Sequence, residues 1–428
     1  MGSIFSRRTL GRIGITAITA ASMLVGGSSI AKSAEQPESI SYWSLWNIGE
    51  PQQILLQDAA DAFTAETGIE VETRWLGRNS GLMSLPLSSF PDLYDNSSDK
   101  LGIWRAKNVV ASLSSILDEK VPGDDITIWD SIPAAAWDAA SDEEGVAFLP
   151  MTLISSAIWF DSTRHPDLLT SPPQTWDDFL ALVERLGDEG VAIAQDGTVN
   201  FYNVYWWMWS MQRHLGPGSV VALGQDAAAW DNPKVLAAAK DIEKLAKLKP
   251  FQDGFMGTKY PSAQNKWAAG KAAFNINGTW LASETASMAA PDAKIRSFQY
   301  PMVEDGFDVV EVGALGVSAN AQSSKLKTAL QFLKFLSKKE YMDRIGSEAL
   351  NIPARIDSSS PDALASAKQA INNASHVFKT YDGAPALVQG WWNEVLLPLD
   401  DKLLSGEISA EEFVKRGREQ TERYLLSL

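Results

Sequence analysis

The side chains best suited to binding chemistry in this sequence are tryptophans, of which there are 16 in 428 residues. Many stand in close groups: Trp43 and Trp46, Trp206, Trp207 and Trp209, Trp267 and Trp280, and Trp391 and Trp392. An indole face stacks on the apolar C–H face of a pyranose, whose hydroxyl rim needs planar hydrogen-bonding partners such as carboxylates and amides. Neighbouring residues on a helix or strand point in different directions. In each adjacent tryptophan pair, therefore, at most one member is expected to face a core. The pattern favours a sugar ligand, with a place in the core as the alternative for any single tryptophan.

Hydrogen-bonding side chains follow the predicted strands of the first hundred residues. Periodicity predicts a strand over 40–46, a helix over 51–67 that Gly68 ends, and a strand over 69–75. This β-α-β unit predicts a parallel sheet, and open α/β sheets bind ligands beyond the carboxyl ends of their strands. The polar residues at these ends are Asn47 and Glu50 beside Trp46, Arg78 after the second strand, and Asp95, Asn96 and Ser97 after Pro91-Asp92-Leu93.

Local capping signals predict further helices. Thr175 with Asp178, Pro233, and Ser409 with Glu412 mark three helix starts. The predicted helices cover residues 179–186, 235–248 and 413–425. Short apolar runs predict strands over 147–149, 154–160, 272–276 and 312–317. Helices alternate with strands, so the chain is expected to be an α/β protein.

Composition argues against several classes of partner and cofactor. The 37 basic and 53 acidic residues give a formal net charge of −16, which repels phosphate backbones and disfavours nucleic acid. Cysteine is absent, and no two of the three histidines stand at a metal-ligand spacing. The glycine patterns of dinucleotide and P-loop sites are missing as well. We therefore expect no metal and no cofactor.

An enzymatic function is the weaker alternative. A glycosidase needs two carboxylates across the scissile bond, and Glu50 with Asp95 or Asp130 is a candidate pair among 53 acidic residues. The Gly-x-Ser-x-Gly pattern of a nucleophilic serine is missing. We expect the protein not to be an enzyme.

The N-terminal segment has the pattern of an export signal. Arg7 and Arg8 precede a moderately apolar stretch, 13–30, that glycine, serine and threonine dilute. This stretch ends in small residues that predict cleavage between positions 32 and 36. Residues 1–34 therefore resemble a twin-arginine (Tat) signal, with a single membrane anchor as the alternative. The product is expected to be free in the periplasm or secreted.

Ordered motifs along the remaining chain carry a family resemblance. They are Tyr42 to Trp46 with Glu50, the helix end 63–68, Pro91-Asp92-Leu93, Phe148-Leu149-Pro150, Trp159-Phe160-Asp161, the PQTWDDF run 173–179, 270–274 leading to Gly278-Thr279-Trp280, and Asn351 to Arg355. In this order they resemble the family 1 extracellular solute-binding proteins, the sugar receptors of ABC importers.

The resemblance implies a two-lobed periplasmic binding protein fold, with a hinged cleft between the lobes. One lobe would hold 36–149 plus 299–340, and the other 150–298 plus 341–428. The first would line the cleft with Trp46, Asn47, Glu50, Asp95, Asn96 and Ser97. The second would contribute Trp280, Arg355, Trp391 and Trp392, and Arg78 and Trp207 are further candidates.

The resemblance also implies a function and its partners. A carbohydrate would bridge the lobes, and the closed form would dock on the permease subunits of an ABC importer. The protein would act as a monomer in the periplasm. The same fold also serves other solutes, so a receptor for a polyamine, a peptide or a metal chelate stays open as an alternative.

Overall fold

The computed structural model of the chain describes residues 39–77, 82, 85–197 and 203–428. The predicted export signal, 1–34, and Arg78 lie outside the described residues. Within the described part of the chain, no helix combines the length and apolarity that a membrane span requires.

The strands form two main sheets and two short ribbons. They are β1 (Ser39–Ser44), β2 (Glu70–Trp75), β3 (Leu93–Ser97), β4 (Ser141–Asp142), β5 (Gly145–Val146), β6 (Leu149–Ile154), β7 (Ser156–Asp161), β8 (Asn275–Gly278), β9 (Ile295–Phe298), β10 (Val309–Glu311), β11 (Gly313–Ala319), β12 (Ile352–Pro353) and β13 (His376–Phe378). A six-stranded sheet has the order β12-β6-β11-β3-β1-β2, and a three-stranded sheet has the order β8-β7-β9. The ribbons pair β4 with β5 and β10 with β13.

Helices lie between these strands and after the last of them. They are α1 (Pro51–Thr67), α2 (Leu101–Ala106), α3 (Ser114–Leu117), α4 (Ala134–Ala139), α5 (Trp176–Gly187), α6 (Val204–Leu215), α7 (Ser219–Gln225), α8 (Pro233–Lys247), α9 (Ser262–Ala268), α10 (Leu281–Thr285), α11 (Leu326–Leu336), α12 (Lys339–Ser347), α13 (Ala365–Asn373), α14 (Ala384–Leu387), α15 (Gln389–Trp391), α16 (Leu397–Leu404) and α17 (Ala410–Leu426).

The predicted β-α-β unit is confirmed. Strand β1 pairs in parallel with both β2 and β3. Helix α1 has Pro51 at its start, and Gly68 ends it with φ +75°, a conformation that glycine adopts without steric cost. The capping signals also hold, because Thr175 accepts a hydrogen bond from Asp178 N at 3.2 Å and Ser409 accepts one from Glu412 N at 3.2 Å.

The run predicted as one strand over 154–160 is instead divided between the two main sheets. Strand β6 belongs to the six-stranded sheet and β7 to the three-stranded sheet, with the buried Ser155 between them. Ser155 O accepts a hydrogen bond from Thr279 N at 2.9 Å, so its backbone pairs with the segment after β8 rather than with a strand of the first sheet. The chain thus passes between the sheets at Ser155.

Two further passages connect the six-stranded sheet with the second half of the molecule, through the β10–β13 ribbon. The chain leaves the β10–β13 ribbon at Glu311 and enters the six-stranded sheet at Gly313. Strand β12 forms the edge of the six-stranded sheet by pairing with β6, although it stands in the part of the chain that we assigned to the second lobe. The third passage therefore lies between Pro353 and His376.

Buried apolar side chains form two clusters, one on the six-stranded sheet and one in the second half of the molecule. In the second cluster, one buried hydroxyl accepts hydrogen bonds from two indole N–H groups. Thr421 Oγ1 accepts hydrogen bonds from Trp391 Nε1 at 2.8 Å and from Trp230 Nε1 at 3.0 Å. Gly417, one turn earlier on α17, allows this approach, because a Cβ there would lie 2.2 Å from the Trp230 ring.

Replacing Thr421 by valine is expected to lower the free energy of unfolding by about 2 kcal/mol or more. Valine keeps the shape but leaves two buried indole N–H groups unpaired, at about 1–3 kcal/mol each. Thr421→Ser is the matched control, because it keeps the hydroxyl and loses one methyl group, worth about 0.8 kcal/mol. Urea unfolding measures both, and equal stability of Thr421→Val and the wild type would contradict the shared hydrogen bond.

A buried carboxylate joins the passages between the sheets. Glu311, at the end of β10, accepts hydrogen bonds from Ser156 N at 3.0 Å, from Ser156 Oγ, and from Tyr381 N at 3.2 Å. Burial raises the pKa of Glu311 to about 7 from an ordinary value of 4.5, against the opposing effect of these hydrogen bonds.

The raised pKa of Glu311 predicts a pH dependence of stability. Between pH 4.5 and about 7 the folded chain holds a proton that the unfolded chain has released, so unfolding becomes easier as the pH rises through this window. The stabilisation is fully present below pH 4.5 and lost above about 7, and amounts to about 3 kcal/mol. Urea unfolding from pH 5 to 8 should show this decline relative to Glu311→Gln, which stays neutral. Glu304→Gln, at an exposed position, is the control and should follow the wild type; a constant difference between wild type and Glu311→Gln at every pH would disprove the assignment.

Candidate functional site

A cavity of about 510 Å³ lies between residues of the six-stranded sheet and the segment that follows β8 in the three-stranded sheet. On the first side it is lined by Leu45, Trp46, Glu50, Pro51, Gln52, Thr152, Ile154, Leu315, Glu348, Ala349, Leu350 and Asn351. On the second side it is lined by Thr279, Trp280, Ser283 and Glu284. The cavity thus combines two indoles with carboxylates, hydroxyls and two amides.

The structure brings Trp46, Glu50 and Trp280 together at this cavity, although they stand on opposite sides of it. Trp46 follows β1, at a strand end as the sequence predicts, and Trp280 follows β8. Both indoles are half-buried and keep surface toward the cavity. Gly278 is required beside Trp280, because a Cβ at this position would lie 2.1 Å from the indole ring.

The loop that carries Trp46 is braced by Glu50. The Glu50 carboxylate accepts hydrogen bonds from Asn47 N at 2.9 Å and from Asn47 Nδ2 at 3.0 Å. Asn47 itself is exposed and is not among the residues that line the cavity. The close packing of this loop on the next strand depends on Gly77, where a Cβ would meet Asn47 Oδ1 at 2.6 Å.

Asp95 lies beneath the cavity, in a narrow recess of about 20 Å³ that Trp46 also lines. Its carboxylate accepts hydrogen bonds from Tyr42 Oη at 2.5 Å, Ser44 Oγ at 2.6 Å and Leu45 N at 2.8 Å. Burial, followed by the Asp95 charge, raises the pKa of Tyr42 well above its usual value, so this phenol stays a donor at neutral pH. Asp95 therefore orients the end of β1 and the Trp46 loop.

The prediction that Asn96 and Ser97 line a cleft is wrong. Asn96 is 1% exposed, and its Nδ2 donates to Ser318 Oγ at 2.9 Å. Its Oδ1 accepts a hydrogen bond from the amide of the buried Ser97 at 2.7 Å. The Asn96 side chain thus joins β3 to β11 inside the six-stranded sheet, and Ser97 is buried beside it.

Trp207, Trp391 and Trp392 do not reach the cavity either, because all three are buried in the second core. The argument from adjacent positions failed because helix α6 is covered on every side, with residues 204–213 all buried. Trp391 and Trp392 stand where α15 passes into a single π-helical turn, and both indoles pack inside the same core.

Arg355 lies away from the cavity in an ion-pair cluster. It is 2% exposed, and its guanidinium pairs with Asp357 at 2.5 Å and with Asp124. Asp124 is 231 residues away in the sequence, so no local pattern could have indicated this pair. Asp130, part of the glycosidase alternative, is also outside the cavity and accepts a hydrogen bond from Thr127 Oγ1 at 2.8 Å.

Several cavity residues were missed by the sequence interpretation. They are Thr152, Thr279, Ser283, Glu284, Glu348 and Asn351. Thr279 and Ser283 flank Trp280 in the sequence, and this neighbourhood was the available signal for them. Glu284, next to Ser283, shares this signal for its position, whereas Thr152, Glu348 and Asn351 come from other segments that only tertiary structure brings to the cavity.

Comparison with known proteins agrees with this architecture. The multiple sugar-binding protein of Streptococcus mutans is 26% identical over 232 residues, which are 50% of this chain and 53% of that protein. The diacetylchitobiose binding protein NgcE of Streptomyces coelicolor is 24% identical over 199 residues, which are 45% of this chain and 42% of that protein. The chain thus matches about half the length of these curated relatives.

The predicted fold class is confirmed by solved structures. A cyclo/maltodextrin-binding protein complexed with maltotetraose matches with a TM-score of 0.70 and 18% identity, over 92% of this chain and 99% of that one. This similarity shows the α/β fold of the two-lobed binding proteins. The family described as bacterial extracellular solute-binding protein matches residues 47–343. The predicted family is therefore confirmed: the chain belongs to the bacterial extracellular solute-binding proteins.

Proposed function

We propose that this protein is the receptor of an ABC importer, which captures a carbohydrate in the cavity and delivers it to membrane permease subunits. The observation that carries the proposal is the position of Trp46 and Trp280 on opposite sides of one cavity, among hydrogen-bonding side chains. The names of the relatives, a multiple sugar-binding protein and a diacetylchitobiose binding protein, support a sugar as the solute.

The cavity has the two kinds of surface that a sugar requires. Indole faces stack on the C–H face of the ring, while Glu50, Asn351 and Thr152 supply acceptors and donors for the hydroxyl groups. At about −0.3 kcal/mol per heavy atom, a disaccharide of about 23 heavy atoms binds with about −7 kcal/mol. This free energy corresponds to a dissociation constant of several micromolar, which suits capture followed by release.

The lobes of the proposed receptor divide at the three passages between the sheets. The first lobe is the six-stranded sheet with its helices, and it includes α12 and β12; the second is built around β7 and the second core. A ligand stabilises a closed state only if it binds that state more tightly than the open one. A solute that touches both Trp46 and Trp280 meets this condition.

Export by the Tat pathway completes the proposal. The twin arginine Arg7-Arg8 and the diluted apolar stretch 13–30 support this route to the periplasm. The working protein is a monomer, and its acidic charge disfavours nucleic acid.

A polyamine is the second candidate solute. Glu50, Glu284 and Glu348 all line the cavity, and carboxylates are the groups that bind ammonium ions. Thermal-shift screening separates the candidates, because a ligand that binds the folded state raises the melting temperature. The panel contains mono- and oligosaccharides, including diacetylchitobiose and maltotetraose, together with spermidine. A shift with spermidine and with none of the sugars would replace the sugar proposal.

Replacing Trp46 or Trp280 by alanine is expected to weaken sugar binding. Each variant loses one stacking contact worth about 1 kcal/mol or more, which is about fivefold or more in the dissociation constant. Titration calorimetry measures the loss with the sugar that the screen identifies.

Trp43→Ala is the matched control for these variants. The Trp43 ring lies outside the cavity, with the Arg74 guanidinium 4.5 Å from its centroid, so the affinity should equal that of the wild type. Unchanged affinity in both Trp46→Ala and Trp280→Ala would remove the cavity from the sugar-binding role.

A further inference from the structure

Glu284, on the short helix α10, lines the second side of the cavity one turn beyond Trp280. We propose that Glu284 is a specificity-determining acceptor for ligand hydroxyl groups, and that Tyr260 and Gln264 are the residues that position its carboxylate. This inference rests on the proposed function, and it names a residue that the family resemblance did not include.

The orientation of Glu284 is fixed by two donors, although the residue itself is exposed. Its Oε2 accepts hydrogen bonds from Tyr260 Oη and from Gln264 Nε2, the latter at 3.0 Å. Gln264 is 2% exposed, and its own Oε1 accepts a hydrogen bond from Asn277 Nδ2 at 3.2 Å. Asn277 belongs to β8, so a chain of hydrogen bonds runs from the sheet to the carboxylate at the edge of the cavity.

One helical turn carries both the carboxylate and the indole. Glu284 N donates to Trp280 O at 3.1 Å, closing the first turn of α10. The stacking surface and the acceptor therefore move as one unit. A pyranose presents both a C–H face and a hydroxyl edge, so a stacking surface and an acceptor on the same turn favour a particular ring orientation.

The hydrogen-bonding capacity of the carboxylate limits the ligand chemistry. Each carboxylate oxygen accepts about two hydrogen bonds, and Oε2 already receives two from Tyr260 and Gln264. The described residues provide no hydrogen bond to Oε1, which therefore keeps its capacity for ligand hydroxyls. A guanidinium group that binds in the bidentate manner needs both oxygens and is disfavoured. The arrangement favours a hydroxylated ligand over an arginine-like one.

The test compares Glu284→Gln, Tyr260→Phe and the double variant with the wild type, using the sugar that thermal-shift screening identifies. Glutamine keeps the size and its oxygen can still accept from Tyr260 and Gln264, which turns an NH₂ donor toward the ligand. We expect Glu284→Gln to weaken binding about tenfold or more, as for a lost hydrogen bond to a charged group. Glu304→Gln, exposed and outside the cavity, should bind as the wild type does.

Tyr260→Phe tests the positioning role separately. It removes one donor to the carboxylate, so we expect a smaller loss of affinity, about threefold. If Tyr260 acts through Glu284, the double variant should bind no more weakly than Glu284→Gln alone. Losses that add in the double variant would overturn the positioning role. Agmatine, a guanidinium compound, is expected to give no thermal shift, and binding that depends on Glu284 would overturn the inferred ligand chemistry.

The outcomes also separate this inference from the function on which it rests. If the wild type binds a sugar and Glu284→Gln binds it equally well, the assignment of Glu284 is wrong and the receptor proposal stands. If the wild type binds no sugar of the panel, the receptor proposal fails together with the inference. Equal melting temperatures of the ligand-free variants confirm that each comparison is made between folded proteins.

Discussion

The buried Glu311 carboxylate is the interaction on which the arrangement of the two sheets depends. It binds Ser156, the first residue after one passage between the sheets, and Tyr381, which follows the third passage. Ser156 Oγ also accepts the indole N–H of Trp209 at 2.8 Å, which ties this junction to the second core. Burying a carboxyl group costs free energy, and the hydrogen bonds that it accepts here offset this cost. Three segments distant in sequence are thereby held at one point.

The geometry of the cavity depends on this junction around Glu311 and Ser156. Thr279 N binds Ser155 O at 2.9 Å, so Trp280 stands one residue from a group that is hydrogen-bonded to the first passage. On the opposite side, Asp95 holds the end of β1 and so sets the position of the Trp46 loop. Each indole is therefore placed by buried polar contacts rather than by apolar packing alone. A change in the angle between the sheets would alter the separation of the two indoles.

The features that could be predicted from the sequence are those set by residues close to one another along the chain. Helix α1 and strands β1 and β2 follow from periodicity, a proline and a glycine that act within a few residues of their position. Trp46 and Glu50 could be placed because the end of β1 is visible in the sequence, whereas Trp280 was placed by the family resemblance. Arg355 could not, because its partner Asp124 is contributed by a distant loop. Glu284 was missed for the same reason, since its acceptor role depends on Tyr260 and Gln264, which its own sequence neighbourhood does not indicate.

The tryptophans of this chain occupy two kinds of environment, the cavity and the core, and their number alone does not tell the two apart. Trp46 and Trp280 stand near glycine, asparagine or threonine at strand ends, where the chain turns, and both are half-buried residues that line the cavity. Trp206, Trp207 and Trp209 stand in the apolar run 204–209 of a helix that other elements cover all round. An indole N–H of this group can bind a partner inside the protein, since Trp206 Nε1 donates a hydrogen bond to Gln195 Oε1 at 2.8 Å. An indole available to a ligand is thus better identified by its polar, turn-forming neighbours than by the presence of another tryptophan beside it.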